Sequence, residues 1–395
     1  MERYGVMPRA EANPTPTVLV WARESAGLPL DLAAKKAAIK SERLAAWESG
    51  AERPTFAQLR KLSEIYKRPL AIFYLKEPPR GFQPMHDFRR AADTELGTNS
   101  PELTMEIRKA HDRREWALEL IEEIEEQPPQ IETVITFGQD PEAAAEAVRA
   151  FLGVSLEQQS AWHTEYDALK QWRLLIENAG ILTFQASEVE ISEARGFSIS
   201  ERPLPVAVAN IKDAPRGRIF TFLHEVAHIL LRNGGICDLH ESEEDELSRI
   251  EAFCNHVAGA TLFPRSALLA TDAVRRHSGS DVSWSNYELA EISRQFGGSR
   301  EAALVRLLTL GLTNTAFYRQ MREEFLKQYA EQREKQKGFA LPHVVALESA
   351  GPTFASLVIE SFNRERITAS DVSDYLGIQL RHLPEVQRDY TKFAI

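Results

Sequence analysis

The sequence predicts a mostly helical α+β protein. Three observations carry that. Apolar residues recur at helical spacing, punctuated by caps, through most of the chain. One block, 181–210, changes character to short β-rich segments. Directly after it comes a strongly apolar helix that carries two histidines and a glutamate.

From Thr15 a series of short helices begins. Val18–Ala26 stops at Gly27, and Leu30–Ala38 follows. After an Ile39-Lys40 turn, Ser41 is placed to cap a helix over Glu42–Glu48 that ends at Gly50. Pro54-Thr55 opens Phe56–Tyr66, and Pro69 opens Leu70–Leu75. Two short helices with a tight turn and supporting helices suit a helix-turn-helix. Residues 78–101 are rich in Pro, Gly and charge and read as a linker, with Met85-His86-Asp87-Phe88-Arg89 as an ordered tether inside it.

A long charged helix is expected over 102–126, ended by Pro128-Pro129, and another near 141–151. In the helix from Ala161 to Ala179, Trp162, Tyr166, Leu169, Trp172 and Ile176 form a stripe that reads as core. Strands are expected at Ile181–Gln185, Gly196–Ser200 and Leu204–Asn210. Pro205 restricts the last to an edge or to a strand start. Lys212–Gly217 reads as a loop before the metal helix.

In Phe220-Thr-Phe-Leu-His224-Glu225-Val-Ala-His228-Ile-Leu-Leu231 the two histidines stand at i and i+4 on one face, close enough to hold one metal ion. Glu225 is rotated off that axis, where its carboxylate could hold a water. Three titratable groups in an apolar helix are costly unless compensated, and Zn²⁺ would compensate them. Asn233-Gly-Gly235 stops the helix, Cys237–Glu246 is an acidic loop, and Leu247–Thr261 is a second helix. A catalytic zinc needs a third protein ligand. Glu251 is preferred, with Asn255 one turn on to orient it, and His240, Glu241 and His256 are rivals. Cys254 reads as a small buried side chain.

Further on, Tyr287–Phe296, a Gly297-Gly298 turn and Glu301–Leu310 are expected to pack on the core. Residues 314–337 form a long helix charged nearly all round, exposed or bridging. The rest of 313–395 is expected as a helical module, with helices at 342–350 and 353–363 and a Thr368-x-x-Asp371 capping box.

Composition sets limits. The chain has 395 residues, 43% hydrophobic and 27% charged, enough for more than one globular domain. It lacks an apolar run long enough to span a membrane, its start carries no secretory signal, and two cysteines make no disulfide framework. The expectation is a cytoplasmic protein without membrane contact. A net charge of −11 argues against non-specific nucleic-acid binding by the whole chain. Residues 15–77, however, hold 11 Lys and Arg against 7 Asp and Glu, which hints at an anionic partner for that part.

Two resemblances arise. Trp21-Ala-Arg-Glu, Leu44-Ala-Ala-Trp-Glu-Ser-Gly50, Pro54-Thr-Phe-Ala-Gln-Leu59 and Tyr66-Lys-Arg-Pro-Leu70 resemble the Xre/Cro-type helix-turn-helix. The resemblance implies double-stranded DNA binding through 15–77, with Ser41, Glu42, Arg43, Ala45 and Ala46 on the reading helix. Leu30-Asp31 departs from the polar residue that usually opens the preceding helix.

The second resemblance is to the ImmA/IrrE metallopeptidase family. It rests on His224-Glu-Val-Ala-His-Ile-Leu-Leu231 with Glu251-Ala-Phe-Cys-Asn255-His-Val-Ala258 through Leu262-Phe-Pro264, and on Gly196-Phe197, Pro205 through Asn210, and Arg218 with Phe220-Thr221 upstream. Cys254 and Val257 replace the family's usual Ala and Phe. The resemblance implies a zincin-like domain within 102–312 and a zinc-dependent endopeptidase. His224, His228 and Glu251 would be the zinc ligands and Glu225 the general base. A repressor-type protein in stress or mobile-element control would be the substrate. His256, Tyr287 and Arg218 are candidates for an oxyanion helper. The competing reading is a DNA-binding regulator or antitoxin-like protein whose metal site is structural or sensing, closed by His240 or Cys237. The oligomeric state stays open, a dimer included.

Overall fold

The computed structural model describes residues 11–79, 100–133, 135–231, 243–277, 282–335 and 341–390. These fall into two compact units, 11–79 with 100–109, and 110–390. The Met85–Arg89 tether and the candidates Cys237, His240 and Glu241 lie outside the described residues.

The first unit contains α1 (Pro16–Glu24), α2 (Leu30–Ala37), α3 (Ser41–Glu48) and α4 (Phe56–Ile65), then a short 3₁₀ turn over Leu70–Tyr74 where an α-helix was expected. Its core gathers Leu19, Ala22, Ala33, Leu44, Trp47, Leu59, Leu62, Tyr66 and Phe73. Thr55 and Gln58 close a capping box at the start of α4. At α3 the expected cap is displaced. Lys40 occupies the cap position without a side-chain bond, and Ser41 is the first helical residue. The turn before it uses Ala38 at φ 57°, where glycine is the usual choice. Arg23 ties α1 to α3, donating from Nε to Glu48 Oε1 at 2.8 Å.

The helix α5 (Pro101–Glu123) leads into the second unit, followed by α6 (Pro141–Leu152), α7 (Leu156–Ser160) and α8 (Glu165–Asn178). The stripe on α8 is core at Leu169, Trp172 and Ile176, but Tyr166 is exposed, because the helix starts only at Glu165 and its first turn faces outward. Trp162, just before it, meets Trp172 edge to face at 5.4 Å.

Next come β1 (Leu182–Ala186), β2 (Gly196–Ile199) and β3 (Val206–Asn210). The order is β1-β3-β2, with β1 parallel and β2 antiparallel to β3. The last strand in sequence is thus the central one. Pro205 stands just before it and marks a strand start, not an edge. All three strands are buried throughout. Two alanines of β3, Ala207 and Ala209, join the core under the helix that follows, α9 (Pro215–Leu231). That helix begins inside the expected loop, and nearly all its residues are buried.

The chain continues as α10 (Glu243–Leu262), α11 (Arg265–Leu269), α12 (Asp272–Arg276), α13 (Asn286–Phe296), α14 (Arg300–Thr309) and α15 (Thr315–Lys335). As expected, α13 and α14 join the core that surrounds α9, through Leu289, Ile292, Phe296, Leu304 and Leu307. Despite its charge, α15 also buries Met321 and Phe325 there, so it is packed and not free-standing.

The chain ends in α16 (Pro342–Ala350), α17 (Pro352–Asn363), α18 (Ala369–Leu376) and α19 (Leu383–Asp389). The Thr368–Asp371 capping box forms as read from sequence. Helix α16 lies along the outer side of β1. Ser349 Oγ donates to the Gln185 carbonyl at 2.7 Å, and Gln185 Nε2 donates to the Glu348 carbonyl at 2.8 Å. Gly351 (φ 82°) sits so close that a Cβ there would be 2.3 Å from the Thr183 carbonyl. The Thr353 amide at the start of α17 donates to buried Glu177 of α8 at 2.6 Å. Among the described residues no helix is long and apolar enough to cross a membrane.

Candidate active site

The site is built on α9 and α10. On α9 the i, i+4 spacing brings the Nε2 atoms of His224 and His228 within 3.0 Å. From α10, Glu251 turns both oxygens to them: Oε2 lies 3.3 Å from His224 Nε2 and Oε1 lies 3.1 Å from His228 Nε2. Ligand atoms on a tetrahedral centre at about 2.0–2.2 Å stand about 3.3–3.6 Å apart, so this triangle fits one zinc ion with little movement. Among the described residues these are the one group of three or more His, Cys, Asp or Glu placed to hold a metal ion.

Electrostatics agree with geometry. Burial pushes the His228 imidazole down, but hydrogen bonds with Cys254 and Glu251 outweigh it and hold its pKa well above an ordinary histidine. Burial would also raise Glu251, yet His224 and His228 hold it below the usual carboxylate range. His224 is fully buried, while the Glu251 side chain is a third exposed, so the cluster opens on the α10 side.

Glu225 is 2% exposed and faces the sheet. A Cβ built on Gly196 of β2 would meet Thr221 Cγ2 at 2.3 Å, the Val208 carbonyl at 2.5 Å and Glu225 Oε1 at 3.3 Å. Glycine is needed there because of Thr221 and the Val208 carbonyl, and Glu225 lies just beyond them. In the sequence Gly196 was visible as one piece of the family resemblance. A glycine opening a β-rich segment is the signal of close backbone approach.

The other expected site residues go elsewhere. Both oxygens of Glu251 already face the imidazoles, and the described residues give Asn255 no hydrogen bond to it. His256 bonds Glu142 of α6 at 2.9 Å. Arg218 is buried six residues before His224 and hydrogen-bonds Gln185 of β1, its pKa lowered by burial. Tyr287 is 73% exposed at the start of α13. Cys254 is buried against His228.

Glu142 was not singled out by sequence. Arg306 of α14 forks it with two bonds of 2.6 Å. Burial alone would raise its pKa, but bonds from Arg306 and His256 hold it down to about 2, against an ordinary 4.5. A depressed folded pKa contributes stability above the ordinary value and loses it as pH falls toward the folded one. The stability gap between the wild type and Glu142→Gln should therefore narrow between pH 4.5 and pH 2, as read by thermal melts across that range. A gap constant with pH would contradict this.

On α3, Glu42 and Arg43 are exposed, and Ser41, Ala45 and Ala46 are half-buried. Arg43 stands 3.8 Å from Glu52 and over the Trp47 ring at 5.6 Å.

A small sheet beside a helix bearing two histidines and a glutamate, with a further carboxylate from the next helix, has the layout of a metallopeptidase-type centre. Residues 176–308, from the end of α8 into α14, match the model of the M78 peptidase family, the IrrE N-terminal-like domain, which supports the ImmA/IrrE family for this segment. No curated protein matches the chain.

Proposed function

We propose that this chain is a zinc-dependent endopeptidase that cleaves a repressor-type regulatory protein, in stress or mobile-element control. The observation that carries the reading is the convergence of His224, His228 and Glu251 within 4.8 Å, with Glu225 buried beside them. His224 and His228 would hold zinc through Nε2 and Glu251 through its carboxylate. Bound there, zinc supplies a Lewis acid that polarises the scissile carbonyl and acidifies water. Glu225 takes the proton from the attacking water and returns it to the leaving amine. An extended substrate peptide would align beside the sheet by β-augmentation, next to that carboxylate. The test is to incubate host extract with wild type or Glu225→Gln and map new protein N-termini by mass spectrometry. Cleavages made by wild type and absent with the variant name the substrate. Identical maps would leave the alternative, a regulator with a structural or sensing metal and no proteolysis.

A second reading concerns residues 15–77, as a module for double-stranded DNA. It is favoured by Lys35, Lys36 and Lys40, all exposed around the α2–α3 turn. Neutralising several phosphates makes binding fall steeply with salt. The expected result is operator binding that weakens on raising salt, and a loss of affinity and sequence preference in Arg43→Ala, followed by fluorescence anisotropy. No binding at low salt would assign the module to a protein partner.

A further inference from the structure

The last turn of α10 is closed by side chains from three other elements. The carbonyls of Thr261, Leu262 and Phe263 accept from Arg149 Nη1 at 2.8 Å, Gln159 Nε2 at 2.9 Å and Arg306 Nε at 2.9 Å. The donors sit on α6, α7 and α14, and all three are buried. Helix ends are ordinarily closed by a glycine or by water, at far lower cost. Arg149 is a buried guanidinium that no carboxylate faces among the described residues. It bonds Gln159 Oε1, the Val154 carbonyl and Thr261, and burial pushes its pKa down to about 10. The carbonyl end of α10 offsets part of its charge. Arg306 does more: while Nε holds Phe263, its other two nitrogens fork Glu142, which in turn holds His256 in the middle of α10.

The clamp grips α10 from His256 to its end and leaves Glu251 untouched. Bonds along its last two turns resist sliding and turning of the helix. A slip of one residue would move Glu251 by about 1.5 Å along the axis and about 100° around it. Metal ligation tolerates errors of only about 0.2 Å.

We propose that Arg306 and Glu142 are positioning residues for the metal centre, holding α10 in the register that presents Glu251 to His224 and His228. The proposal rests on the reading of Glu251 as a ligand. It predicts that breaking the clamp weakens metal binding chiefly through Glu251, the one ligand that α10 carries.

The experiment is a chelator competition for Zn²⁺ with Glu142→Gln and Arg306→Lys, each alone and combined with Glu251→Ala. All are measured at a temperature where circular dichroism shows the folded protein. In Arg306→Lys the single ammonium could not reach the Phe263 carbonyl and both Glu142 oxygens at once. Each single variant should bind zinc about 10-fold more weakly, the lower range for loss of a group supporting a ligand. Added to Glu251→Ala, either should cause little further loss. Unchanged affinity in a folded variant, or an equal loss in the Glu251→Ala background, overturns the proposal. Glu142→Gln is nearly isosteric and decides alone should Arg306→Lys not fold. If Glu251→Ala itself leaves zinc affinity unchanged, the ligand assignment fails instead.

Discussion

Purified protein is expected to carry about one zinc per chain, and His224→Ala or His228→Ala to lose it. The two imidazoles stand 3.0 Å apart at Nε2 and both meet Glu251, so each is one of three corners. Removing one leaves two ligands, too few for a stable site. It also strips the ionised Glu251 carboxylate of a hydrogen bond that holds its charge. The loss of affinity should be several orders of magnitude, read by elemental analysis after dialysis against a mild chelator. A double variant that still holds a full equivalent of zinc would remove the site from α9.

Glu225→Gln should separate metal from chemistry. Glu225 is one residue from His224, with Oε1 beside Gly196 of β2, and it is not one of the three groups whose ligand atoms cluster. The amide fills the same space, so zinc and fold should both survive. What disappears is the proton acceptor, a contribution of about 10²–10⁴ in rate. The measurement is cleavage of the native partner found by N-terminal mapping, with zinc content determined on the same sample. Undiminished cleavage by a zinc-loaded variant, with contaminating protease excluded, would refute the role. Silence on a generic substrate such as casein would decide nothing, because wild type can be equally silent there.

The His-His-Glu cluster was legible in the sequence because its main part is local. Helical geometry alone puts His224 and His228 on one face, and no tertiary information is needed. The bare residues left rivals for the third ligand. Glu251 stands opposite the histidines, while His256, five residues on, points to α6. What stayed illegible was long-range. His256 meets Glu142 across 114 residues, and Arg218 meets Gln185 across 33, so nothing in either local pattern announces the partner. Strand order was equally hidden. Pro205 allowed an edge or a start, and only the pairing of β3 with both neighbours decides between them. Helix ends shifted by a few residues where a cap works through backbone groups alone, as at Lys40. For α15 the charges hid its packing face, where Met321 and Phe325 are buried and Phe317, Tyr318 and Tyr329 pack against the core.

The docking of α16 on β1 sets a timetable for synthesis. The carbonyl of Gln185 waits for Ser349, 164 residues later in the chain. At roughly 5–20 residues per second, the ribosome takes about 8–30 s to cover that distance. During that interval the outer side of β1 lacks the helix that will cover it, and an uncovered strand edge invites pairing with other chains. The sheet that supports α9 is therefore completed almost last, although it is made near the middle. A nascent or C-terminally clipped chain would carry the whole metal-binding motif and yet depend on chaperones to stay soluble.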